Sequence, residues 1–357
     1  MPSDVTTESQ VLSVLKSLAD PESGRSVVDE GQVRDIKVAG DRLSLTLALS
    51  THSAPLWNET RDECARLLKE NIPGLATVEV KLAVCERPAQ PMGQMGVKVK
   101  SVIVVGSGKG GVGKSTVAAS LAYGLKRAGA RVGLMDADVY GPSIPHLLGL
   151  QGTAIAQGPN KIEAVDFDGL KVMSIGFFVP PGKAVAWRGP MLHKLMSQFL
   201  ADTEWGELDY LIIDMPPGTG DVAISLSQLL PLTGAVVVCT PQDVALIDAV
   251  KAIAMFGLVH IPVLGMVENM SYFLCPDNGK RYDIFGSGGA KKCALEMDIP
   301  FLGEVPINIQ VRINGDEGRL AGNYSDAQAA PYFETICRNL VRNLAAHRQE
   351  EAPLPSL

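Results

Sequence analysis

The chain has 357 residues, 46% hydrophobic and 20% charged, with 32 Lys and Arg against 39 Asp and Glu for a net charge of -7. That composition excludes a disordered chain and supplies one large core and a smaller second one. The acidic balance argues against sequence-independent nucleic-acid binding, which draws its affinity from clustered Lys and Arg.

The opening residues, Met1 to Gln10, are polar and carry acids where a leader would place a basic stretch and an apolar run. No uninterrupted run reaches the ~18 apolar residues of a membrane span, so the sequence reads as cytoplasmic, without a membrane or nucleic-acid partner. Six cysteines, at positions 64, 85, 239, 275, 293 and 337, show no C-x-x-C spacing, which fits a reducing compartment better than a disulfide framework.

Between Val11 and Leu82 the pattern predicts helix 11–19, strands 31–38 and 42–49, helix 57–71 and strand 76–82, a small α+β domain assigned to residues 1–85. Leu43, Leu45, Leu47 and Leu49 alternate, placing one side-chain face inward. Residues 86–99 carry prolines and glycines without a period and read as a linker. From Ser101 onward, strand-length apolar runs at 101–106, 131–136, 171–175, 209–214, 235–240, 262–268 and 301–305 alternate with helical patterns. Runs such as Leu211-Ile212-Ile213 suit strands buried on both faces, so residues 100–357 are expected to form an α/β domain with a mainly parallel sheet covered by helices on both faces. A last helix, 331–346, aligns Phe333, Ile336, Cys337, Leu340, Val341 and Leu344. This stripe reads as docked on protein; for a membrane-surface helix Arg338 and Arg342 would favour anionic lipid, while Glu350 and Glu351 oppose it.

The segment Gly108-Lys109-Gly110-Gly111-Val112-Gly113-Lys114-Ser115-Thr116 follows the apolar run Val102-Ile103-Val104-Val105 and fits G-x-x-x-x-G-K-[ST], a strand feeding a phosphate-binding loop. Its glycines let successive N–H groups face a polyphosphate, Lys114 reaches the outer phosphates, and Ser115 offers a hydroxyl to Mg²⁺ where a helix begins. Gly106-Ser107-Gly108-Lys109-Gly110-Gly111 also satisfies G-x-G-x-x-G, with Asp136 as a ribose-binding acid. A dinucleotide site has no use for Lys114 and Ser115, and Asp136 lies beyond that motif's usual ~20-residue interval, so a nucleoside triphosphate is the expected ligand.

Two further acidic segments end apolar strands: Asp136-Ala137-Asp138 and Asp214-Met215-Pro216-Pro217-Gly218. A lone Asp there commonly caps a helix. Beside a phosphate loop, Asp214 reads as the acid that holds Mg²⁺ directly or through water. Asp138 is then the candidate for orienting the attacking water and Asp136 lies nearer the metal, although sequence alone does not fix which takes which role. Gly218-Thr219-Gly220 supplies a segment able to respond to the γ-phosphate. Lys109, a second lysine in the loop, is either a solvated charge or a stabiliser of transition-state charge.

Lys109 to Ser115, Asp136-Ala137-Asp138-Val139-Tyr140-Gly141-Pro142-Ser143, Trp187-Arg188-Gly189-Pro190, Asp214 to Asp221 and Glu268-Asn269-Met270-Ser271-Tyr272 together resemble the Mrp/ApbC family of deviant-Walker P-loop ATPases, implicated in carrying iron-sulfur clusters. The first unit, with Asp20-Pro21-Glu22, is similar to the domain that precedes the ATPase in many members. The resemblance implies a homodimer with ATP and Mg²⁺ at its interface, Lys109 contacting the partner subunit's nucleotide, Asn269 and the segment at Pro306 holding the adenine, and apo iron-sulfur proteins or assembly factors as clients. It also implies a [4Fe-4S] cargo on a C-x-x-C pair. Here the chain departs: Cys275-Pro276-Asp277-Asn278 has Asn278 in place of the second thiolate, and Ala54 stands where the small domain's cysteine is expected. Four thiolates normally hold such a cluster, so two copies of Cys275 would need Cys293, a non-Cys ligand or a partner protein beside them.

Overall fold

The computed structural model describes residues 7–151, 161–178, 189–218 and 220–350. Two compact units divide the chain: one runs to Arg87 and takes in the residues from Val341 onward, the other spans Pro88–Leu340.

The small unit contains α1 (Glu8–Leu15), β1 (Val33–Ala39), β2 (Arg42–Leu49), α2 (Trp57–Asn71) and β3 (Thr77–Val84). Thr7 and Gln10 form a reciprocal capping box at the start of α1, which fixes where that helix begins. β2 pairs antiparallel with β1 and parallel with β3. The expected inward row Leu43, Leu45, Leu47 and Leu49 is buried with Val11, Leu15, Cys64 and Leu68 in one core. Arg87 closes this unit by pairing with buried Asp20 at 2.6 Å, Glu22 at 3.2 Å and Glu30 at 3.0 Å.

The large unit begins with β4 (Pro91–Met92), β5 (Val97–Gly106), α3 (Lys114–Ala128), β6 (Val132–Asp136), α4 (Ile144–Leu147), β7 (Ile162–Glu163), β8 (Val165–Phe167) and β9 (Leu170–Ser174). It continues with α5 (Gly189–Ala201), β10 (Thr203–Glu204), β11 (Leu208–Asp214), α6 (Gly220–Leu229), β12 (Gly234–Cys239), α7 (Asp243–Leu258), β13 (Val263–Leu274), β14 (Arg281–Tyr282), α8 (Gly289–Glu296), β15 (Phe301–Ile307), α9 (Ile309–Asp316) and the start of α10 (Ala330–Glu350). The main sheet runs β14-β13-β12-β5-β11-β6-β9-β8, with β15 beside β13 and β4 beside β5. From β13 to β9 every pairing is parallel. Strands such as Leu208–Asp214 are buried along their whole length, as a sheet covered on both faces requires.

Two boundaries differ from the sequence reading. Residues read as the tail of a linker belong to the large unit, because Pro91 and Met92 pair antiparallel with Lys98 and Val97 at the start of β5. The chain from Val341 belongs with the small unit, where Arg342 pairs with Glu59 at 2.7 Å. All six residues of the expected α10 stripe are buried. Among the described residues no helix is long and apolar enough to cross a membrane.

Candidate functional site: a phosphate loop and its carboxylates

The carboxyl ends of β5, β11, β6 and β9 form one row in register: Val105 lies beside Asp214, Asp214 beside Asp136, and Asp136 beside Ser174. Neighbouring parallel strands lie about 4.8 Å apart, so the sheet itself sets the two carboxylates side by side at the end where such folds bind ligands.

The loop between β5 and α3 takes its shape from glycine. Gly111 and Gly113 have φ of +81° and +78°, a region other residues enter only with strain. Close approach adds a second requirement: a Cβ on Gly108 would sit 2.0 Å from the backbone oxygen of Asp248 on α7. Asn269 Nδ2 donates to Val112 O at 2.8 Å, and Ser107 Oγ donates to Lys109 O at 3.0 Å. A cavity of about 260 Å³ opens beside the loop, lined by Lys109, Gly111, Gly113, Lys114, Ser115 and Asp138; Gly110 and Thr116 also border it.

Lys114 is buried at the start of α3 and reaches Asp214 Oδ1 at 2.6 Å, Ser115 Oγ at 3.2 Å and Asp138 Oδ2 at 3.8 Å. The ammonium is therefore held between two carboxylates at the mouth of the loop. Asp214 is fully buried, and among the described residues its Oδ2 has no hydrogen-bond partner. Burial raises its pKa above the ordinary carboxylate range, against the opposing pull of Lys114. Asp136, also fully buried, is pushed to about 8, first by burial and then by the neighbouring charge of Asp214. Lys109 is half-buried at the cavity edge, and among the described residues its ammonium forms no ion pair.

The geometry separates the two acids of Asp136-Ala137-Asp138. The expectation that Asp136 lies nearer the metal meets a carboxylate whose oxygens already accept from protein donors: Asp138 N at 3.1 Å on Oδ1, Ile144 N at 3.3 Å and Ser174 Oγ at 2.9 Å on Oδ2. Asp136 thus grips the two ends of the loop that carries Asp138, while Asp138 lines the cavity. Nothing in the sequence pattern marked Ser174 or the Ile144 amide as its partners, because the first contact depends on strand order and the second on the path of the loop after Asp136.

Asn269 and Pro306 lie apart from the phosphate cavity's lining. Asn269 braces the loop through Val112, and Pro306 lines a second cavity of about 190 Å³ with Phe273, Leu274, Pro276, Asn308 and Tyr332. Of the other motif residues, Trp187, Arg188 and Thr219 lie outside the described residues.

Cys275 occupies the turn between β13 and β14 and is half-buried, its N–H donating to Lys280 O at 3.0 Å. Asn278 Oδ1 accepts from Lys280 N at 2.9 Å, so the residue in the place of a second thiolate serves the turn. Cys293, the alternative ligand, sits instead in the apolar core with its Sγ 3.9 Å from Met297 Sδ, and burial raises its pKa. Burial pushes Cys64, Cys239 and Cys337 up to about 12. Among the described residues no group of three or more His, Cys, Asp or Glu is placed to hold a metal ion.

A glycine loop ending in a buried lysine, with paired acids at the carboxyl ends of a parallel sheet, defines a P-loop nucleotide-binding protein. Two family models match: NUBPL iron-transfer P-loop NTPase over residues 98–341, and iron-sulfur cluster assembly protein over residues 8–82. The chain is 45% identical over 345 residues to the iron-sulfur cluster carrier protein of Deinococcus radiodurans, covering 96% of this chain and 97% of that protein. To the iron-sulfur cluster carrier protein of Escherichia coli K12 it is 45% identical over 282 residues, 77% of this chain and 75% of that one. Among solved structures, the nucleotide-binding protein of Archaeoglobus fulgidus in complex with ADP is 43% identical with a TM-score of 0.56, covering 62% of this chain and 88% of that chain. The Aquifex aeolicus MinC:MinD complex, 18% identical with a TM-score of 0.50 over 72% of this chain and 98% of that chain, shares the fold. The chain belongs to the NUBPL iron-transfer P-loop NTPase family and is an ATP-binding and ATP-hydrolysing protein of that family.

Proposed function

We propose that the chain is an ATP-dependent iron-sulfur cluster carrier, active as a homodimer, that passes its cargo to apoproteins. The observation that carries the reading is the Lys114 ammonium held between Asp214 and Asp138 at the mouth of the glycine loop. These carboxylates balance the charge of the lysine. A triphosphate competes for it, leaving Asp214 and Asp138 available for their own tasks.

Asp214 Oδ2, buried and without a hydrogen-bond partner among the described residues, fits a cation site, and with the Ser115 hydroxyl it would hold Mg²⁺. The ion, when bound, neutralises charge on the outer phosphates. The backbone N–H groups of Gly110 to Thr116 cradle the phosphates, and Lys114 binds the outer ones. Asp138, reaching into the cavity, orients the attacking water. Lys109, which among the described residues forms no ion pair, reaches in this reading to the nucleotide of a second copy and stabilises transition-state charge there. Asn269 and Pro306 are assigned to the adenine end of the site, Asn269 keeping its bond to the loop.

For the cargo, each copy contributes Cys275 from an exposed turn, and the remaining ligands are non-cysteine groups of the dimer or come from a client or assembly protein. Asn278 in place of a second cysteine also supports a second reading, a nucleotide-gated dimeric switch without a cluster. Anaerobic reconstitution with iron and sulfide, followed by metal counting and Mössbauer spectroscopy on wild type and Cys275→Ala, decides between them. About four irons per dimer, lost in the variant, support the carrier. ATP hydrolysis without bound iron supports the switch.

A further inference from the structure

Ser174 closes β9 and is fully buried. Its hydroxyl donates to Asp136 Oδ2 at 2.9 Å and accepts from the Gly176 N–H at 3.0 Å, in the turn that follows the strand. With the amide in place as donor, the hydroxyl proton is directed at the carboxylate. The strand ladder delivers this contact, since Asp136 and Ser174 are direct neighbours in register.

The consequence lies one bond further on. Asp136 Oδ1 accepts the Asp138 N–H at 3.1 Å and Oδ2 the Ile144 N–H at 3.3 Å, so one carboxylate fastens both ends of the loop from Asp138 to Ser143. On its other side stands the Asp214 carboxylate, in the same row and fully buried. Two carboxylates side by side repel, and each is held by a different neighbour: Asp214 by Lys114, Asp136 by Ser174. Remove the hydroxyl and Oδ2 keeps only the longer Ile144 bond, leaving the carboxylate free to turn away from Asp214 and release its grip on the loop.

We propose that Ser174 is a positioning residue for ATP hydrolysis: its hydroxyl holds the Asp136 carboxylate in the orientation that fastens the Asp138 loop at both ends, and so keeps Asp138 aimed into the phosphate cavity. The proposal rests on the reading that Asp138 orients the attacking water. It assigns Ser174 no contact with nucleotide, which makes its signature a loss of turnover with binding retained.

The test is steady-state ATP hydrolysis, MgADP affinity and amide hydrogen exchange on the full chain for wild type, Ser174→Ala, Ser174→Thr and Asp138→Asn. Hydrogen-bond partners set one step behind a functional group typically contribute ~10–100-fold, so Ser174→Ala should lower kcat by about tenfold. Its KM for ATP and MgADP affinity should stay within about twofold of wild type. Exchange at the Asp138 and Ile144 amides should quicken, and Ser174→Thr, which restores the hydroxyl, should recover most of kcat. Wild-type kcat in Ser174→Ala beside an inactive Asp138→Asn overturns the role of Ser174 and leaves the reading of Asp138 standing. Parallel loss of ATP affinity and kcat in Ser174→Ala also overturns it, in favour of a structural role. An active Asp138→Asn overturns the reading of Asp138 and this inference with it. Should Ser174→Ala fail to fold, Ser174→Cys, of similar size and a weaker donor, must show an intermediate kcat; an unchanged kcat in that variant overturns the proposal.

Discussion

The phosphate loop and the Cys275 turn, both reached from β13, are built in opposite ways. The loop is braced from several sides: Asn269 donates to Val112 O, Ser107 to Lys109 O, the Gly218 N–H to Ser107 O at 3.0 Å, and α7 packs against Gly108. The Cys275 turn is exposed from Pro276 to Phe285 and is tethered at its base, where Arg281 stacks 3.9 Å over the Tyr272 ring and Tyr272 shares a 2.7 Å hydrogen bond with Tyr332. Phosphoryl transfer depends on charges held in place before the reaction, which a braced loop supplies. Handing over a cargo requires a group that a partner can reach, which only an exposed turn supplies.

That contrast is broken most severely at Lys114. Lys114→Ala removes the cation that binds the outer phosphates and leaves Asp214 and Asp138 unopposed beside each other. We expect nucleotide affinity to fall by about 100-fold or more, with hydrolysis undetectable, by calorimetry and phosphate release. Lys109→Ala is predicted to leave affinity within a few-fold of wild type while lowering kcat by roughly 10²–10³, somewhat under the range of arginine-finger deletions. Equal loss of binding and turnover in both variants would place the two lysines in one role. At the other region, Asn278→Cys restores the spacing of a thiolate pair, and iron retained after anaerobic reconstitution should be released to a chelator more slowly than from wild type. An unchanged release rate would show that the turn's missing thiolate does not limit how firmly iron is held.

The two regions were also unequally legible in the sequence. The phosphate loop is a local motif, so Lys114, Ser115 and its glycines were identified by spacing alone, and the parallel sheet followed from its long buried runs. The same holds for the leucine row of β2 and the α10 stripe. The different surroundings of Asp136 and Asp138 were not legible, because they turn on Ser174 and Ile144, which strand order and the local loop bring to Asp136. Asn269 shows the same limit: the sequence reading ends its strand at 268, whereas the residue lies inside β13 (Val263–Leu274), and its bond to Val112 joins residues far apart in the chain. Residues from Pro91 read as linker because a two-residue strand has no period to detect, and its pairing with Val97 and Lys98 appears only in the fold.

A finer test of the contrast removes one brace from each region. Asn269→Ala deletes the donor to Val112 O and leaves a carbonyl of the loop unpaired, which should cost about 1–2 kcal/mol of stability. The loss should appear as faster amide exchange in the glycine loop and weaker ADP binding, since Val112 sits directly before Gly113 and Lys114.

Cys275→Ala should do almost nothing to the same observables. The thiol lies on a half-buried turn residue whose recorded hydrogen bonds are made by the backbone, from its N–H to Lys280 O and from the Gly279 N–H to its own carbonyl at 2.8 Å, and alanine preserves both. Stability should therefore change by no more than about 0.5 kcal/mol, as for surface substitutions away from packed features. ATP turnover should stay within about twofold of wild type while bound iron is lost. Thermal melting, phosphate release and metal counting on one preparation check all of this together. A folded Cys275→Ala that no longer hydrolyses ATP would show that the turn acts on the phosphate loop even without cargo, and β13, which bears both Asn269 and the path to Cys275, would be the first place to look for the connection.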